Sequence, residues 1–205
     1  MAKLVIDFDK IDEKSRMKLV KGSIIPRPIA WITTLNENGS VNLAPFSYFN
    51  AVSPTLVIVS FQRNGDKQKD TFLNIIREKE AVIHIVNESL IEEMDRSSSP
   101  LERNKSELEL THLNVSPSMK VKTPGIEEAL IRFEVVLEES LTLKNYDKTE
   151  AEADLVVLRV IGSVIDETVY DSTKGYVLSD VLQSVARLGG TEYATIKKIP
   201  FKREF

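Results

Sequence analysis

Residues 129–140, ALIRFEVVLEES, alternate apolar and polar side chains with a period of two. Ile131, Phe133, Val135 and Leu137 share one face, and Arg132, Glu134 and Glu138 share the other. That pattern demands a β-strand with one buried face, and such a strand is stable only beside others. The chain supplies them. TLVIVSF (55–61), AVIHIVN (81–87) and LVVLRVIGSVI (155–165) are apolar, β-branched runs of strand length. Gly162 marks a bulge or a close backbone approach in the last of these. IAWITTL (29–35) and SVNLAP (40–45) flank NENG, whose Asn38-Gly39 pair favours a tight hairpin. A two-residue turn there would set Glu37 opposite Ser40 and Thr33 opposite Ala44.

Helical signals are fewer. In TFLNIIREK (71–79), Phe72, Ile75 and Ile76 share one face, with Asp70 as the expected N-cap. Ser89 and Glu92 have capping-box spacing and would open a short helix with Leu90, Ile91 and Met94 as its apolar contacts. RSSSPLERNKSE (96–107) reads as a mobile loop or flap. Residues 181–196 begin helix-like and break at Gly189-Gly190. About six strands with two or three short helices, and no long βαβ alternation, predict a mainly β (α+β) fold: an antiparallel β-barrel or sandwich with peripheral helices. No G-x-G-x-x-G follows a strand and no Walker A sequence is present, which argues against a Rossmann or P-loop fold. At 205 residues, one domain over 1–205 is expected.

Composition removes several functions. Without cysteine there is no thiolate nucleophile, disulfide or cysteine-bound metal. His84 and His112 are the two histidines and lie far apart, which argues against a histidine-rich metal site. A net charge of -4 argues against nucleic acid as partner. The N-terminus lacks a signal-peptide pattern, and no apolar run is long enough for a membrane span, so a soluble cytoplasmic protein without membrane partners is expected.

Three stretches have the chemistry to bind a ligand. KQKDTFLNI sets Lys69 before a helix start at Asp70-Thr71, where free N–H groups and a hydroxyl suit a phosphate; a capped surface helix with a solvated lysine is the alternative. NLAPFSYFNAVSP (42–54) interleaves Asn42, Ser47, Asn50 and Ser53 with Phe46, Tyr48 and Phe49. That mixture suits a flat heteroaromatic ring with polar edges, or else a linking loop whose aromatics fill the core. In ARLGGTEY, Arg187 before two glycines suits close approach to a charged partner, or a helix C-terminus with a glycine cap. His84, between Val82 and Val86 on one strand face, reads as a core histidine more readily than a base. His112 reads as structural or exposed, and the carboxylates of LERNKSELEL as a solvated face.

Taken in order, PRPIAWITTL, NLAPFSYFNAVSPTLVIVSF, KDTFLNI, RNKSELEL and ARLGGTEY resemble the flavin reductase-like family, close to its flavoredoxin branch, from about Gly22 to Ala194. The resemblance implies a split β-barrel, a homodimer and bound FMN. It implies that Asn42, Ala44 and the run Ser47, Tyr48, Phe49, Asn50, Ala51, Val52 and Ser53 line the flavin. Lys69, Asp70 and Thr71 would hold its ribityl phosphate, with Trp31 and Thr33 on the strand beside them. Arg187 and Tyr193 would belong to a C-terminal segment, about 181–205, that closes over the flavin or the dimer interface. Two positions depart from the family pattern: His84 stands where relatives often carry Asn, and the His112-Leu113 region lacks a glycine. The implied activity is an NAD(P)H:flavin oxidoreductase or flavoredoxin-like electron carrier. NADH or NADPH would be the reductant, and a redox protein or oxygenase a possible partner. The chemistry would belong to the flavin, with no catalytic side chain assigned. A non-enzymatic flavin-binding or storage protein, and a structural β-barrel that binds protein through residues 96–107, are the alternatives.

Overall fold

A computed structural model describes residues 2–201 and 204. In chain order its main elements are α1 (Glu13–Ser23), β1 (Arg27–Pro28), β2 (Ala30–Leu35), β3 (Val41–Phe46), β4 (Phe49–Ala51), β5 (Leu56–Gln62), α2 (Asp70–Glu78), β6 (Glu80–Ile85) and α3 (Ile91–Arg96). There follow β7 (Val115–Ser116), β8 (Gly125–Ile126), the long pair β9 (Ile131–Lys144) and β10 (Ala151–Ile165), β11 (Tyr170–Asp171), β12 (Tyr176–Val177), α4 (Ser179–Leu182), β13 (Val185–Arg187) and β14 (Tyr193–Thr195).

Seven strands form one antiparallel sheet in the order β3-β2-β6-β9-β10-β5-β4. Its two edge strands are β3 and β4, which follow one another in the chain with only Ser47 and Tyr48 between them. So short a link spans at most about 11 Å. The sheet must therefore curl until its edges nearly meet, as a barrel split along one seam. Phe46 of β3 and Phe61 of β5 pack edge to face across that seam, with ring centroids 4.6 Å apart.

The interior holds Ile32, Val59, Phe61, Ile83, Val135, Val156 and Leu158, each with no exposure. Alternation along β5 delivers this: Val57, Val59 and Phe61 point in, and Leu56, Ile58 and Ser60 are half-buried. α2 adds Phe72 and Ile75 to the same core, as its apolar spacing predicts. Each such side chain contributes about 1.5–3 kcal/mol by leaving water. β2 is buried on both faces, because Trp31 belongs to a second core with Leu43, Val86, Met94 and Ile126. This explains why IAWITTL shows no apolar–polar alternation, its Thr33 and Thr34 being buried as well.

The structure corrects several local expectations. In the β2–β3 hairpin, Thr33 faces Leu43 and Ile32 faces Ala44. The Asn36 N–H donates to Ser40 O at 2.8 Å, so the loop holds three residues, with Gly39 at φ +82°. Asn38 uses its side-chain oxygen to accept from the Ser40 N–H, which slips the register by one. Lys69, not Asp70, is the N-cap of α2; Asp70 is its first residue, where an acid favours the helix dipole. Ser89 does not cap a helix: it accepts from Asn87 Nδ2, and α3 begins at Ile91 with no side-chain cap. Residues 97–106 are tethered rather than a free flap, since Ser97 is buried and Ser106 Oγ donates to Val41 O. Beyond α4, which ends at a left-handed Gln183, the ARLGGTEY segment is a β-hairpin turning at Gly190 (φ +60°), with β13 also paired to β1. Gly162 does sit at a bulge, where the β9–β10 register shifts between Val160 and Gly162.

The outward face of β9 is only partly solvent. Residues 116–123 cover its first part, where the buried Glu134 accepts from the Met119 and Lys120 N–H groups at 2.7 and 2.6 Å; Glu138, farther along, is exposed and pairs with Arg159. His84 is a structural residue. Its Nδ1–H donates to Trp31 O at 2.8 Å, and its Nε2 accepts from the Ile126 N–H at 2.9 Å. Complete burial pushes its pKa down to about 4, with the Trp31 bond opposing and the nearby Arg132 adding to the shift. His112 is exposed beside Glu93 and Arg96. No helix among the described residues is long and apolar enough to cross a membrane.

Candidate functional site

A cleft follows the seam. It comprises two adjoining cavities of about 660 and 280 Å³, which share Pro45, Phe46, Asn64, Lys69 and Ser98 in their walls. The end of β3 and the Ser47-Tyr48 link give one wall, and Ser60 and Gln62 of β5 another. The loop entering α2, the segment after α3 and the β13–β14 hairpin complete it.

The smaller cavity is built on the start of α2. Lys69 makes no side-chain cap, so the first-turn N–H groups keep no side-chain acceptor from the N-cap. Thr71 is buried, and its Oγ1 accepts from Asn42 Nδ2 at 2.8 Å. With that lone pair used, the Thr71 O–H is free to donate into the cavity. Glu107 also lines it, and it is buried rather than solvated as LERNKSELEL suggests. Burial raises its pKa; the Leu43 N–H, donating at 2.9 Å, opposes this, and Asp70 reinforces it.

The larger cavity is cationic. Lys21, Arg27, Arg63, Lys69 and Arg187 line it, against the carboxylate of Asp95. Arg63 is neutralised by a two-point pair with the buried Asp154, at 2.9 and 2.6 Å. Arg27 is 8% exposed and, among the described residues, donates only to carbonyls: Lys21 O, Ile24 O and Leu188 O at 2.5, 2.9 and 2.8 Å. Lys21 donates to Gln62 Oε1 at 3.1 Å and faces the Tyr48 ring. Arg187 lies over the Tyr193 ring, 4.4 Å from its centroid, and donates to the Tyr193 hydroxyl and to Gly190 O.

Among the residues expected at a flavin site, Asn42, Ala44, Lys69, Asp70 and Thr71 line the smaller cavity, and Ser47, Tyr48, Lys69, Arg187 and Tyr193 the larger. The remainder lie outside both. Trp31 and Thr33 are fully buried; Trp31 Nε1 donates to Ser97 Oγ at 2.8 Å, which positions a wall residue, and Thr33 Oγ1 donates to Pro124 O. Phe49 packs on the barrel core. Asn50, Ala51, Val52 and Ser53 are exposed on edge strand β4 and the turn after it, where Ser53 Oγ accepts from the Leu56 N–H. Sequence reasoning missed Lys21, Arg27, Arg63 and Glu107. None stands in a local motif with the others, and only the closure of the sheet gathers them.

The cleft fits an elongated ligand with a phosphate at one end and a flat ring at the other. The helix start, Lys69 and Thr71 supply donors, and Pro45, Phe46 and Tyr48 supply apolar area. Comparison with known proteins identifies the family. The flavin reductase like domain matches residues 22–180. YwrF of Bacillus subtilis (strain 168) is 42% identical over 194 residues, 94% of each chain. Nitrilotriacetate monooxygenase component B from Bacillus cereus superposes with a TM-score of 0.93 at 37% identity, covering 99% of this chain and 100% of that one. Pseudomonas fluorescens 2-nitrobenzoate 2-nitroreductase NbaA gives a TM-score of 0.85 at 28% identity, covering 98% and 96%. With its split barrel and seam cleft, the chain belongs to the flavin reductase-like domain family.

Proposed function

We propose that this protein binds FMN in the seam cleft and acts as an NADH- or NADPH-dependent oxidoreductase, either reducing flavin or passing electrons onward. The observation that carries this is the uncapped start of α2, with Lys69 and a Thr71 hydroxyl available to donate, opening into a two-part cleft walled by Phe46 and, in its larger part, Tyr48. Lys69, the α2 N–H groups and Thr71 hold the phosphate, and Asn42 fixes the Thr71 rotamer. Asp70 lies in the same first turn, where its charge favours the helix rather than the ligand. Ala44 and Ser47 meet the ligand edge through backbone, and Arg187 with Tyr193 closes the far side. Trp31 and Thr33 support the walls from behind. Bound FMN supplies the redox chemistry, and the protein's part is position, charge and exclusion of water.

Phe49, Asn50, Ala51, Val52 and Ser53 would reach a flavin in a homodimer, where one copy's exposed edge meets the other's cleft. Exposed apolar side chains favour that assembly: α1 has no buried residue, and Leu4, Val5 and Ile24 are 85%, 90% and 64% exposed. The whole chain then acts as one flavin-binding unit, in the cytoplasm, without nucleic acid or membrane. An oxygenase or other redox protein is the proposed acceptor, supported by the likeness to a monooxygenase component. Nitroaromatic reduction is the second reading, supported by NbaA.

The test is the visible spectrum of the purified protein with FMN, before and after anaerobic NADH or NADPH. Bleaching supports a reductase. Bound flavin that resists both nicotinamides moves the protein to a carrier or storage role. Failure to bind FMN leaves a barrel that interacts with other proteins.

A further inference from the structure

Lys21, Arg27 and Arg187 line the larger cavity and not the smaller one. Among the described residues, none of the three forms an ion pair with a carboxylate. Their acceptors are carbonyls, a glutamine oxygen and a tyrosine hydroxyl. Arg27 is more than nine-tenths buried, and its Nε is a buried donor with no partner among the described residues. Burial, then Arg27, then Arg187, lower the Lys21 pKa, so the three cations sense one another. Burying like charges together without an anion costs stability, and proteins keep such an arrangement where a ligand relieves it.

We propose that Lys21, Arg27 and Arg187 form a second anion subsite, separate from the Lys69 helix start, that receives the pyrophosphate of a nicotinamide dinucleotide. This rests on the flavin reading. The flavin's phosphate is already provided for at α2, whose Asp70 and Thr71 line the smaller cavity, where none of these three cations stands; Lys69 faces both cavities. A single carboxylate would leave most of the positive charge uncompensated, whereas a pyrophosphate carries adjacent charges that match two guanidinium groups and an ammonium. The β13–β14 hairpin carries Arg187, and its Leu188 carbonyl holds Arg27, so the hairpin and the β1 segment form one rigid cationic wall.

The experiment titrates inorganic pyrophosphate into FMN-loaded protein by calorimetry. In wild type it binds without displacing FMN. Lys21→Gln, which leaves the Arg27 scaffold intact, weakens pyrophosphate about tenfold while FMN affinity stays within about twofold, and Lys21→Arg restores binding. NADP+ competes with pyrophosphate, and benzoate competes far less. No binding to the loaded protein, an unchanged Lys21→Gln variant, displacement of FMN by pyrophosphate, or equal competition by benzoate each overturns the proposal. Should FMN itself fail to bind, the flavin reading falls. The same titration of the unloaded protein then decides the subsite: loss in Lys21→Gln alone upholds an anion site at the cluster, and loss in Lys69→Ala alone removes it.

Discussion

His84 of β6 and Arg27 of β1 are both buried polar side chains, yet their surroundings are opposites. His84 has a partner for each ring nitrogen and carries no charge. Glu134 and Asp154, also fully buried, are likewise met by N–H groups or by Arg63. Arg27, Lys21 and Arg187 are held in place by neutral acceptors and keep their charge unanswered. The first group is finished within the chain and holds strands in register. The second is finished only by something the chain does not contain. A polar group's satisfaction, more than its burial, separates structural from ligand-binding roles here.

Breaking the satisfied group costs the fold most. Arg63→Ala strands the Asp154 carboxylate with only Gln68 and Thr142 as side-chain partners among the described residues, and should lower stability by about 3–5 kcal/mol in urea denaturation. The His84 network gives a pH signature. The unfolded imidazole takes up its proton near 6.5, but the folded one resists until about 4. Stability is therefore complete above pH 6.5 and declines as pH falls toward 4, by about 3 kcal/mol from this group. His84→Asn, which keeps a donor toward Trp31 and loses the acceptor for Ile126, should cost about 1–3 kcal/mol at pH 7 and flatten that slope relative to wild type.

The unsatisfied group sharpens the contrast from the other side. Lys69→Ala should weaken FMN by about 1–3 kcal/mol and affect riboflavin, which lacks the phosphate, much less. Equal losses for both ligands would remove Lys69 from the phosphate site. Smallest of all, Lys21→Gln should change folding stability by less than about 0.5 kcal/mol, because relief of repulsion offsets the lost hydrogen bond. A large destabilisation would place Lys21 with the structural residues instead.

The strands were legible because period-two burial is written locally, as in Val57, Val59 and Phe61. The proposed phosphate end rests on an equally local signal, since Lys69, Asp70 and Thr71 are consecutive. Elsewhere local signals misled. The polar face of β9 reads as solvent, which holds for Glu138, but residues 116–123 bury Arg132 and Glu134 by supplying their partners. Glu107 reads as one carboxylate of a solvated run, and only the Leu43 N–H, 64 positions away, shows why it is buried. ARLGGTEY carries the composition of a helix end and becomes a hairpin because β1 offers it an edge to pair with. Lys21 and Arg27 belong to elements whose sequences say nothing of each other's charge. Tertiary closure alone made them neighbours of Arg187.

The covalent link across the seam has a consequence for how such a cleft changes over time. Ser47 and Tyr48 tie one lip of the opening to the other, so the lips cannot drift apart by strand sliding. The gap is fixed like a slot in a cast part. New substrate preferences would then arise by remodelling what hangs over the slot, namely the segment after α3 and the β13–β14 hairpin. Both can vary in length and sequence while the barrel that carries them stays unaltered.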